Sequence, residues 1–203
     1  MLQEQLLMNL RMVSKMSVQE ERKHVDKATI EVERKIKGVD VYWTKYVWNR
    51  QLPLVLVISN YPSSKTLLQD DLTTMLIKNE IVEIEDYGGV IIANLFTRPV
   101  QVINEKTLGE AFPADGMDEL IKVVGEVEKV IIAIGSLATR YQVATDRMKL
   151  FVNQVQKAEI TIDKFYDLVN GQHKPVHPLA IRNEHWILVK WDKERQKELI
   201  LDE

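Results

Sequence analysis

Residues 54–74 read LVLVISNYPSSKTLLQDDLTT, and their reading decides the fold. Five consecutive apolar residues, Leu54 to Ile58, have the length and uniformity of a strand buried on both faces, as in the middle of a parallel sheet. The run stops at a polar loop, Ser59, Asn60, Tyr61, Pro62, Ser63 and Ser64, in which Pro62 bars both regular pairing and helix. Beyond the loop, Leu68, Leu72, Met75 and Leu76 recur at helical spacing and predict a helix. The loop therefore joins the carboxyl end of a strand to the amino end of a helix. Open α/β sheets hold ligands at such junctions, because free backbone N–H groups and the helix dipole point into a crevice.

Working outward, the rest of the chain supplies more strands of the same kind. Val90 to Ala93 is a second buried run that emits Asn94, Phe96, Thr97 and Arg98 before Pro99. Val130 to Ile134 is a third, ending in Gly135 and Ser136. Helical patterns separate and follow them, over 117–127 and 141–156, whereas 101–116 reads mostly as loop. Alternation of strand and helix predicts a three-layer α/β/α domain around a mostly parallel sheet. Ahead of it, alternation from Ala28 to Ile36, a turn at Gly38 and Asp40, and the aromatic run VDVYWTKYVW predict an antiparallel hairpin. Tyr42, Trp43, Tyr46 and Trp48 read as packing aromatics. A last strand is expected around Ile160 to Val169, then a shorter one from His185 to Trp191 and a charged tail.

Residues 1–27 read as a helical extension, with Leu2, Leu6, Leu10 and Val13 on one stripe, and 28–203 as a single α/β domain. The stripe either packs on its own domain or serves as a dimer or partner helix.

The 203 residues are 45% hydrophobic and 28% charged, with a formal net charge of -3, which argues against a strongly basic nucleic-acid surface. There is no cysteine, so thiolate nucleophiles, disulfides and zinc–thiolate sites are excluded, and a reducing cytoplasm is the expected location. No apolar run approaches the ~20 residues of a membrane-spanning helix.

The buried strand with its Pro-Ser loop, the DDLTT helix start, the turn before VIIANLFTR, the strand ending in Gly135 and the late HPL resemble the domain of unknown function numbered sixteen forty-three, over about residues 28–191. The same order is similar in outline to the uracil-DNA glycosylase superfamily. That resemblance implies binding of a nucleobase, nucleotide or DNA and hydrolysis of an N-glycosidic bond, without a metal or organic cofactor. It puts the first motif on Asn60, Tyr61, Pro62 and Ser63 and the second on His177 and Pro178. The amide of Asn60 would orient water, the imidazole of His177 would hydrogen-bond a base oxygen gaining charge, and Tyr61 or Phe96 would stack on the base. Tyr61 stands where the related pattern has asparagine directly before proline. A non-catalytic module, an inhibitor or regulator holding a nucleotide or protein partner in the same crevice, is the alternative.

Asp71 either handles water or caps the helix. Arg98 either binds phosphate or forms a surface ion pair. His173 and His177 share a four-residue spacing, but the prolines beside them preclude the helix that a metal pair would need. The strand ends at Ser59 to Ser64, Asn94 to Arg98, Gly135–Ser136 and His177–Pro178 are expected to converge on one pocket.

Overall fold

A computed structural model describes residues 27–63 and 66–199. The expected amino-terminal helix, Ser64 and the last four residues lie outside that range. Seven strands form one mixed sheet: β1 (Glu31–Lys37), β2 (Asp40–Val47), β3 (Leu54–Ser59), β4 (Gly89–Asn94), β5 (Lys129–Ile132), β6 (Phe165–Val169) and β7 (Ile187–Lys190). Their order is β1-β2-β4-β3-β5-β6-β7. The middle four, β4, β3, β5 and β6, run parallel. The β1–β2 hairpin joins antiparallel to β4, and β7 joins antiparallel to β6.

β3 is central because every side chain from Val55 to Ile58 is apolar and wholly buried, at 0% exposure. Alternation sends Val55 and Val57 to one core, and Leu56 and Ile58 to the other. The chain moves from β3 to β4 through helix α1 (Leu72–Glu83), whose Ile77 and Ile81 pack on the first core. It then crosses back over β3 to β5 through a short helix α2 (Glu105–Gly109) and α3 (Gly116–Glu126). After β5 come α4 (Leu137–Arg140) and α5 (Gln142–Lys157). Met117, Leu120, Val123 and Val124 of α3 and Met148, Phe151 and Val155 of α5 fill the second core. Helices thus cover the two faces of the sheet, as the strand–helix alternation predicts. Gly88 admits the loop between β2 and β3, since a Cβ there would lie 1.7 Å from the Asn49 carbonyl oxygen.

Three local expectations need correction. The helix does not include Leu68, and Leu68, Leu72 and Met75 are 93%, 50% and 47% exposed. α1 starts only at Leu72 and turns Ile77 and Ile81 inward, because its amino end is fixed by capping at Asp71 rather than by apolar spacing. The strand expected from Ile160 begins at Phe165, after a single 3-10 turn over Ile162–Lys164. The charged tail contains a helix, α6 (Lys193–Leu199), anchored by Leu199 in the second core and by Arg195 pairing with buried Asp167 at 2.8 Å. Among the described residues no helix is long and apolar enough to cross a membrane.

Truncating Ile81 to alanine should cost about 2–5 kcal/mol, the range for a buried isoleucine. Leu68→Ala should stay within about 0.5 kcal/mol, as for an exposed position. Urea denaturation of the two variants measures both, and equal losses would contradict the burial of Ile81 and the exposure of Leu68.

Candidate functional site

The carboxyl ends of β3 and β4 open onto a cavity of about 300 Å³ on the α1 side of the sheet. This is at the small end of ligand pockets. Its wall contains Ser59, Asn60, Tyr61, Pro62 and Ser63 from the loop after β3, Asn94 from the end of β4, Asp71, Thr73 and Thr74 from the head of α1, and His177. Eight residues singled out from the sequence are therefore brought together here: Ser59, Asn60, Tyr61, Pro62, Ser63, Asp71, Asn94 and His177.

His177 reaches the cavity by a long return. After β6 the chain turns at Asn170, whose Oδ1 accepts from the N–H groups of Gln172 and Lys174 at 3.0 Å each. It comes back along the same strand, with Val176 N–H donating to the Leu168 carbonyl at 2.9 Å. Gly135, at φ +59°, makes the last step possible: a Cβ there would lie 2.8 Å from the His177 backbone nitrogen. Gly135 thus serves the site by admitting His177, rather than by contact with a ligand.

The ring is held at both nitrogens. Nδ1 accepts from the Leu179 N–H at 3.3 Å, and Nε2 lies 3.1 Å from the Ser59 hydroxyl. An acceptor at Nδ1 fixes the neutral tautomer with its proton on Nε2, so Ser59 receives that N–H. Burial holds the imidazole pKa below 6.5, with the Asp71 carboxylate pulling weakly the other way. The ring is a hydrogen-bond donor that carries no charge near neutrality.

Asp71 is the N-cap of α1, its Oδ1 accepting from Thr74 N–H at 2.7 Å, and it also lines the cavity. Of the two alternatives for it, the structure shows the helix cap. Asn60 has a buried Oδ1 with no hydrogen-bond partner.

The structure places other predicted residues elsewhere. Arg98 forks onto Asp40, with Nε 3.0 Å from Oδ1 and Nη2 3.2 Å from Oδ2, and it does not line the cavity. Phe96 is wholly buried in the opposite core against Phe112, over whose face the Arg147 guanidinium lies at 3.8 Å. Regular alternation ends with β4 at Asn94, so the face of residues beyond it does not follow from parity. Ser136 is exposed and Pro178 is buried outside the wall.

In their place the hairpin contributes Arg34, Val41, Thr44 and Tyr46. Arg34 sits opposite Thr44 in the β1–β2 register and donates from Nε to Thr44 Oγ1 at 2.9 Å. The signal was present: Arg34 interrupts the apolar set Ile30, Val32 and Ile36 on one side of β1. Tyr46, read as a packing aromatic, is 3% exposed and donates its O–H to Asp70 Oδ1 at 2.9 Å. Lys78 pairs with the other Asp70 oxygen and lies over the Tyr46 ring at 4.8 Å. Burial, and then the bond to Asp70, push the Tyr46 phenol pKa well up, so it stays protonated.

One group with metal-ligand spacing occurs among the described residues, Glu80, Glu83 and His185, within 4.8 Å of one another. It is away from the cavity, His185 is 90% exposed, and Glu80 Oε1 already accepts from Trp186 N–H at 2.8 Å.

Fold and site define a three-layer α/β protein with a polar pocket at the carboxyl ends of its parallel strands. The chain belongs to the family described as Protein of unknown function (DUF1643), whose model matches residues 42–179. The match runs from β2 through Leu179 and leaves β1, with Arg34, outside it. No curated protein matches the chain.

Because His177 is neutral when folded, the unfolded chain takes up its proton first as pH falls. The stability it contributes is complete above about pH 6.5 and is lost as pH drops through the folded pKa. Melting temperature should therefore decline below about pH 6.5, and less steeply in His177→Gln than in the wild type. Parallel curves for the two proteins would contradict the neutral assignment.

Proposed function

We propose that the cavity binds a nucleobase or nucleotide and that the protein hydrolyses its N-glycosidic bond. The observation that carries this reading is the fixed, neutral His177, whose Nε2–H faces the polar loop after β3. Because that N–H is donated to Ser59 Oγ, the Ser59 hydroxyl proton is left to hydrogen-bond a carbonyl oxygen on which negative charge develops as a base departs. Asp71 and Asn60, in the same wall, are the groups to handle water. Water adds to the glycosidic carbon while the C–N bond breaks, the bonding pair leaves with the base, and the proton lost by water passes to Asp71 or solvent. Tyr61 supplies an aromatic face, and Arg34 is the cation in the wall for a phosphate or sugar oxygen. The order of motifs shared with the uracil-DNA glycosylase superfamily supports the same reading. The net charge of -3 favours a small nucleoside or single-stranded substrate over a duplex, which demands many phosphate contacts.

A second reading, a non-catalytic binding module, draws on a specific observation. Both nitrogens of His177 are engaged and Asp71 is already capping α1, so these two candidate catalytic groups each have a structural occupation.

Incubation of the purified protein with nucleosides, nucleotides and modified oligonucleotides, followed by mass spectrometry of released base, separates the two readings. Turnover that falls about 10²–10³-fold in a folded His177→Ala variant is the expected result. Binding without released base would support the module, and turnover untouched in the variant would remove His177 from the chemistry.

A further inference from the structure

Two side chains in the wall of the cavity, Tyr46 and Asp71, accept hydrogen bonds but have no proton to give. Tyr46 has a single hydroxyl proton, and it is committed to Asp70 Oδ1 at 2.9 Å. Asp70 is itself fixed by Lys78 on its other oxygen, so the hydroxyl has a charged partner to hold that proton. Toward a ligand, Tyr46 Oη therefore presents lone pairs. Asp71, the next residue along, is a carboxylate with no proton to give, and its Oδ1 is oriented by Thr74 N–H. Tyr46, Asp71 and His177 all stand in the wall of this one cavity. Across it, His177 Nε2–H is donated to Ser59 Oγ, which leaves the Ser59 hydroxyl proton as a donor toward the cavity, in the same wall as the Arg34 guanidinium.

We propose that this cavity selects bases bearing an exocyclic amino group, cytosine, adenine or guanine, over bases with a carbonyl in that place. The inference rests on the nucleobase reading above. A carbonyl oxygen set against Tyr46 Oη and Asp71 would meet lone pairs and a negative charge, with its own hydration removed. An amino group there satisfies both acceptors. On the other edge, a ring nitrogen or the carbonyl of cytosine or guanine receives the O–H of Ser59, whose oxygen is held by His177 Nε2–H.

Two pairs of nucleosides differ by this exchange, cytidine against uridine and adenosine against inosine. Isothermal titration of the full chain should find the amino member of each pair at least about tenfold tighter, the discrimination expected when a buried acceptor is left unpaired. Asp71→Asn keeps a good N-cap but gains an amide donor, so the ratio should fall towards one. Tyr46→Phe removes the other acceptor and should lower the ratio too, with thermal melting to verify its fold. Uridine and inosine binding as tightly as their partners, or more tightly, would overturn the selection while leaving the nucleobase reading intact. A preference unaltered in Asp71→Asn would equally overturn the role given to the carboxylate. If none of the four binds, the inference falls together with the reading beneath it.

Discussion

The burial of β3 on both faces is the constraint on which the rest of the molecule depends. Four consecutive side chains at 0% exposure have no solvent-facing side, so the sheet must be covered above and below. Each such side chain contributes about 1.5–3 kcal/mol relative to an exposed one. Covering both faces demands that the chain cross β3, with α1 on one side and α3 and α5 on the other. Polar groups have no place along such a strand and gather where it ends, at Ser59 and Asn60. The location of the cavity follows from the same burial that makes the core.

Within the cavity, the uncharged state of His177 is a product of packing. A ring pressed against the strand ends, with Leu179 N–H at one nitrogen and Ser59 at the other, cannot gain a second proton without losing a bond. Gly135 supplies the room, since any side chain there would collide with the His177 backbone. The position of an imidazole from the last third of the chain is thereby tied to the end of β5 and to the first residue after the core of β3.

The head of α1 joins a helix cap to the wall of the cavity. Asp71 satisfies an otherwise orphaned N–H of the helix, and an acidic group at that end is favoured by the helix dipole. The same carboxylate, with Tyr46 held by Asp70 and Lys78, gives the cavity an acceptor-rich side. Leu68, Leu72 and Met75 stay exposed because the cap, not an apolar stripe, fixes where this helix begins.

The sequence by itself determined the buried strands, their alternation with helices, the antiparallel hairpin ahead of them, and the loop in which the site lies. These follow from local chemistry: runs of β-branched and aliphatic residues, proline and glycine breaks, and an aspartate ahead of a helix. Eight of the residues that line the cavity were legible because they stand at the ends of such runs. Tertiary structure alone decided that Arg34, Thr44 and Tyr46 complete the wall, since only the β1–β2–β4 register carries those hairpin residues to the pocket. It also decided that Arg98 turns to Asp40 and Phe96 to the opposite core, because alternation predicts a side chain's face only while the strand continues.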